Sequence, residues 1–186
     1  VRIFSILAFL VLAACGTSQT TPTSLSNADM IQQYRSLPTS TLWARQGFTQ
    51  SVSELAIIEA ELARRGETKS GSSYIGRRSA GTVGKARFSR SVLSENTRNC
   101  SDFSSSLAAQ QFFLAQGGPT SDPHGLDRDG DGFACEWGTK IRRAASQSQS
   151  EIRRASRPRY TANCYTGPRG GTYTITASGR RNYGGC

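Results

Sequence analysis

Asp127-Arg128-Asp129-Gly130-Asp131-Gly132-Phe133-Ala134-Cys135-Glu136 is the stretch on which the reading of this chain turns. Asp127, Asp129 and Asp131 alternate through one short turn, Gly132 follows where the backbone must bend sharply, and Glu136 closes the run. Hard oxygen donors at this spacing suit Ca²⁺, which takes six to eight oxygens at about 2.3–2.6 Å. Mg²⁺ is less suited, because it keeps its water and demands near-octahedral geometry. The loop departs from a standard EF-hand, whose bidentate Glu stands at position 12. Counted from Asp127, that position falls on Gly138 and Glu136 stands at position 10.

The departure carries information. Cys135 directly precedes Glu136, and a second cysteine lies upstream in Asn99-Cys100-Ser101-Asp102-Phe103. Together with Asp122-Pro123-His124-Gly125-Leu126 ahead of the loop, this pattern closely resembles the Excalibur family, small extracellular bacterial calcium-binding modules with a shortened DxDxDGxxCE loop. The resemblance covers residues 99–138. It implies a Cys100–Cys135 disulfide and a ligand set of Asp127, Asp129, Asp131 and Glu136 with the Phe133 carbonyl. The competing reading of the same residues is an acidic surface turn that binds nothing. Four carboxylates crowded into one turn repel one another without a cation, so Ca²⁺ is expected to order the loop and protonation to disorder it. An affinity of about 10⁻⁴–10⁻³ M is expected, the range of extracellular modules. His124, the single histidine, is a poor calcium ligand and is assigned to a turn or packing role.

The N-terminus bears on compartment. Ile3 to Ala14 is an apolar run too short to span a bilayer, which takes about 20 residues, but suited to a signal-peptide core. It ends Leu12-Ala13-Ala14-Cys15-Gly16, which resembles a bacterial lipobox; the resemblance implies cleavage before Cys15 and lipid on that residue. The expected location is therefore the bacterial cell envelope, extracytoplasmic, with the membrane as a partner through lipidated Cys15. The chain has five cysteines. Lipidation of one leaves four, which allow three pairings. The expected pairing is Cys100 with Cys135, as the resemblance implies, and Cys164 with Cys186. Each bridge is expected to contribute about 3–4 kcal/mol in the chain-entropy model.

Only 36% of the residues are hydrophobic and they are scattered, so the expected fold is a small multi-module chain, mainly α with irregular loops, rather than one core. A signal peptide over 1–14 and a flexible tether over 15–28 precede a helical hairpin at 29–66. The hairpin joins a short helix over Asp29–Ser36 to a longer one opened by Ser51-Val52-Ser53-Glu54, with Leu55, Ile58 and Leu62 on one face and a Leu37-Pro38 break between. It is either an interaction module or a structural unit. Residues 67–98, rich in Gly, Ser, Arg and Lys, read as a basic linker, although aromatics such as Tyr74 and Phe88 among the cations also suit nucleic acid or lipid headgroups. A helix over Ser104–Gln116 belongs to the calcium module at 99–138. Residues 139–160 form a basic spacer that can be helical, with Ile141, Ala145, Ser148 and Ile152 on a thin apolar side. Residues 161–186 alternate as a disulfide-braced basic β-hairpin turned at Ser178-Gly179, and their GPRGGxY stretch resembles basic adaptor modules.

The formal charge is +10, but residues 99–138 are net acidic between basic flanks. Opposite charge can fold the flanks onto the calcium loop, or leave them to bind an anionic partner. No convergent acid, base or nucleophile set stands out, and a His-metal nuclease centre needs more than one histidine. The expectation is a non-enzymatic calcium-binding envelope lipoprotein. The alternative is a basic surface adaptor for extracellular DNA or anionic envelope polymer with calcium only structural, and a nuclease accessory role ranks below both.

Overall fold

This computed structural model describes residues 25–90, 97–156, 163–184 and 186. Cys15, the signal segment and most of the tether lie outside the described residues. The first element, α1 (Asn27–Ser36), is capped by the Ser26 side chain, which accepts from the Asp29 N–H. Leu37 is extended, as a residue before proline must be, and ends it. Pro38 then serves as N-cap of α2 (Thr39–Phe48), and α3 (Val52–Arg64) follows. The sequence expectation of a two-helix hairpin is thus corrected to three helices. The missed α2 starts on Thr39-Ser40-Thr41, poor helix formers, and is held by burying Leu42 and Trp43 in the core.

The capping box expected at α3 forms by half. Ser51 accepts from the Glu54 N–H, but the Glu54 carboxylate bonds Thr49 Oγ1 and Tyr34 OH, each at 2.5 Å, and so ties α3 to α1. Leu55, Ile58 and Leu62 are buried as their spacing requires. So is Glu59, which no apolar pattern predicts. Its carboxylate accepts from Gln46 Nε2 at 3.2 Å, the Gly76 N–H at 2.8 Å and Ser79 Oγ at 2.5 Å.

That carboxylate explains why residues 67–90 are folded rather than a solvated linker. A hairpin of β1 (Lys69–Ser70) and β2 (Ser73–Tyr74) turns at Gly71 and delivers Ile75 to the core, and Glu59 pins the segment that follows. Glycine is required at Gly76, with φ 79°, because a Cβ there would lie 2.9 Å from the Ile141 carbonyl oxygen. Composition argued for solvation; one buried isoleucine and the bonds from the Gly76 N–H and the Ser79 hydroxyl to a buried acid outweigh it.

A 3-10 turn over Cys100–Asp102 leads to α4 (Ser106–Ala115), and α5 (Trp137–Ala155) follows the acidic loop. Ile141, Ala145 and Ser148 are buried along α5 as the sequence predicts, Ile152 on the same side is only half-buried, and Trp137 and Gly138 join the buried residues. In α4, Phe113 and Leu114 are the large buried side chains, and Leu107 and Phe112 pack at the margin. Ala109 and the polar Gln110 are buried with Phe113 and Leu114, a face that apolar spacing does not mark.

One hydrophobic cluster joins Tyr34 of α1, Leu42 of α2, Ile58 of α3, Phe113 of α4 and Ile141 of α5. The expectation of separate modules is therefore corrected from α1 to α5. No helix among the described residues is long and apolar enough to cross a membrane. The C-terminal segment is a three-stranded antiparallel sheet, β3 (Tyr165–Thr166), β4 (Thr172–Ile175) and β5 (Arg181–Asn182), one strand more than the expected hairpin. Its β4–β5 turn lies at Ser178-Gly179 as anticipated, with the Gly179 N–H bonded to the Thr176 carbonyl at 2.8 Å, and Cys164 is bridged to Cys186.

Candidate metal centre

The acidic loop bridges α4 and α5, and its shape is set by side chains that satisfy its own backbone. Asp122 opens it, accepting from the Leu126 and Asp127 N–H groups at 2.9 Å each. Asp127 Oδ1 accepts from the Asp131 N–H at 3.1 Å, and its Oδ2 from the Gly132 N–H at 2.8 Å. Asp131 Oδ1 accepts in turn from the Phe133 N–H at 2.8 Å. Asx-type bonds of this kind suit aspartate in tight turns. Gly130 and Gly132, at φ 69° and 94°, occupy backbone that L side chains rarely adopt.

From α4, Gln110 reaches the far side of the loop. It is fully buried, donating to the Gly132 carbonyl at 3.2 Å and accepting from the Ala134 N–H at 2.6 Å. Cys135 has φ 53° where the chain swings into α5, and its bridge to Cys100 ties that exit to the segment before α4. The disulfide implied by the family resemblance is present.

Within this frame Asp127, Asp129 and Asp131 each offer a carboxylate oxygen, and the three atoms lie within 4.8 Å of one another. Asp127 and Asp131 are buried, and Asp129 is exposed toward solvent. Burial pushes the Asp127 carboxyl up to about 6; the neighbouring acids Asp129 and Asp131 push the same way, against Arg90 and the Gly132 N–H, which favour its charged form. Crowded carboxylates of this kind form a hard, anionic donor set and fit Ca²⁺ by their chemistry.

Glu136 stands apart from that group. It is exposed at the start of α5, where Thr139 Oγ1 donates to its Oε2 at 3.2 Å. Glu136 and Asp129 both line a cleft of about 470 Å³ beside the loop. Phe133 contributes a buried ring to the core and its N–H to Asp131. His124 is buried with its ring centroid 5.2 Å from that of Phe112 and Nδ1 3.4 Å from Thr97 Oγ1, which fits the packing role read from the sequence.

Residues 84–90, upstream of the motif, also touch the loop. The Gly84 N–H donates to Asp131 Oδ2 at 2.5 Å, and the Arg87 and Phe88 N–H groups donate to the Gly130 carbonyl at 2.8 and 2.9 Å. Arg90 Nη2 pairs with Asp127 Oδ2, while its Nε reaches the Asp127 carbonyl at 2.8 Å and its Nη1 the Pro119 carbonyl at 2.9 Å. Sequence reading missed Gln110, Gly84 and Arg90 as parts of the centre; its only signal was the opposite charge of the flank.

No curated protein and no solved structure matches this chain. Residues 97–136, which hold the three converging aspartates, Glu136 and the Cys100–Cys135 bridge, match the family model of the Excalibur calcium-binding domain, and Ca²⁺ is the cation which that match assigns to the segment.

Proposed function

We propose that the chain is a non-enzymatic, extracytoplasmic bacterial envelope lipoprotein, anchored through lipid on Cys15, in which Ca²⁺ orders the loop at 127–136. The convergence of Asp127, Asp129 and Asp131 inside the segment matched to an extracellular calcium-binding family carries this reading. Asp127, Asp129 and Asp131 serve as side-chain ligands. Glu136, whose exposed side chain lines the same cleft as Asp129, and the Phe133 carbonyl complete the set. Bound Ca²⁺ supplies the positive charge that lets three crowded carboxylates ionise together. The lipobox-like Leu12-Ala13-Ala14-Cys15 supports the anchor, and an exported chain can keep its disulfides.

A second reading, a basic adaptor for extracellular DNA or anionic envelope polymer, draws on the C-terminal sheet. Residues 161–186 carry Arg169, Arg180 and Arg181 and no acidic residue, and Tyr165 and Tyr183 are exposed large rings.

Calorimetric titration of the oxidised chain with Ca²⁺ tests the first reading. Saturable binding of one ion is expected, reduced at least about tenfold in Asp129→Ala, whose exposed side chain makes the substitution mild for folding. Binding that is unchanged in this variant counts against the assigned ligands. Polymer binding that falls steeply with salt yet survives Asp129→Ala favours the adaptor.

A further inference from the structure

The segment at 84–90 lies outside the family-matched residues, yet it grips the calcium loop at three points, and its last contact is a cation. The Arg90 side chain is inserted rather than splayed on the surface. Its guanidinium sits 5.8 Å from the Phe88 ring centroid and 5.9 Å from that of Phe113, and it is fixed by the Asp127 and Pro119 carbonyls. From that seat it pairs with Asp127 Oδ2 and lies 3.9 Å from Asp122 Oδ2. Asp127 is almost wholly buried, so the pair is shielded from solvent and feels little salt screening.

We infer that Arg90 is a built-in counter-cation of the calcium centre, which lowers the affinity of the loop for Ca²⁺ and makes metal binding compete with docking of the Arg90 side chain. This rests on the calcium reading above and adds to it a residue that sets the working concentration. The physical ground is that one carboxylate serves two positive charges. Asp127 Oδ2 already accepts from the Gly132 N–H and Arg90, and a dication held by the same carboxylate meets like charge at close range in a low-dielectric setting. Release of Arg90 from Asp127 removes that repulsion and loosens the end of the strap formed by residues 84–90, while the backbone bonds from Gly84, Arg87 and Phe88 remain to hold its start.

Two measurements on the full oxidised chain test this. In calorimetry, Arg90→Gln is expected to bind Ca²⁺ roughly tenfold more tightly than wild type, the order of change that removal of one nearby like charge produces. In NMR of the wild-type chain, the Arg90 Nε–H resonance, assigned by its loss in Arg90→Lys, is expected to shift and lose its protection from solvent exchange as Ca²⁺ saturates. A wild type that binds with Arg90→Gln equal or weaker, or an Arg90 resonance unmoved at saturation, overturns this inference alone. A wild-type chain that binds no Ca²⁺ overturns the calcium reading and this inference with it.

Discussion

Glu59 shows how much one buried residue decides. Burial raises its carboxyl above the usual carboxylate range, opposed by the bonds from Ser79, Gly76 and Gln46. A folded-state value above the unfolded one means that the native chain holds the proton longer. The stability this group contributes is complete below the unfolded value, about 4.3, and declines as pH rises through the higher folded value. Glu59→Gln keeps an acceptor for Gln46 and Gly76 and cannot ionise. Urea unfolding from pH 4 to 8 should therefore show the variant gaining on wild type as pH rises; a constant gap would mean that Glu59 does not titrate differently on folding. At the metal centre the same scale separates what was legible. Asp127, Asp129 and Asp131 declare themselves because ligands on alternate residues of a turn converge by local geometry. Gln110 and Arg90 do not, because a glutamine in a helix and an arginine in a basic stretch acquire meaning only from partners far along the chain.

Elements differ in how openly they announce themselves. The buried side of α5 follows from its spacing, and Ile141 is fully buried on it against Gly76. Ile141→Ala should cost about 2–5 kcal/mol of stability through lost burial and a residual cavity. Thermal or urea unfolding checks this, and a loss well under 1 kcal/mol would place Ile141 outside the core. The strap at 84–90 meets the loop so closely that a Cβ on Gly130 would fall 2.4 Å from the Phe88 carbonyl oxygen. Gly130→Ala adds left-handed backbone strain of about 1–2 kcal/mol to that clash. It should therefore lower the melting temperature and speed tryptic cleavage after Arg87. Unchanged cleavage would mean that the strap does not need this approach. Neither the strap nor α2 is visible as a pattern: one is a short basic run with a single aromatic, Gly84-Lys85-Ala86-Arg87-Phe88-Ser89-Arg90, the other starts on Thr and Ser, and tertiary contacts overrule both propensities.

Across the whole molecule, the shared core implies shared stability. Trp43 in α2 and Trp137 in α5 lie far apart in the chain but in the same cluster. Single-tryptophan variants, Trp43→Phe and Trp137→Phe, should each unfold with the same midpoint by fluorescence and by far-ultraviolet dichroism. Separate midpoints would restore the picture of independent modules. Loss of the Cys100–Cys135 bridge, which closes a separation of 35 residues, should then destabilise α1 to α3 as well as the loop, by about 2–5 kcal/mol in Cys100→Ser.

The sequence by itself determined the chemistry of the acidic loop and the helices whose apolar residues recur at regular spacing, while the pairings Cys100–Cys135 and Cys164–Cys186, the first implied by the family resemblance, are fixed in the structure. The loop and the helices are local patterns, set by side chains within a turn or two of one another. Tertiary structure alone decided that α1–α5 share a core, that Glu59 recruits the segment read as a linker, and that Arg90 faces Asp127. Those outcomes depend on which polar groups lose water together. That is settled by packing between distant residues, which no local pattern records.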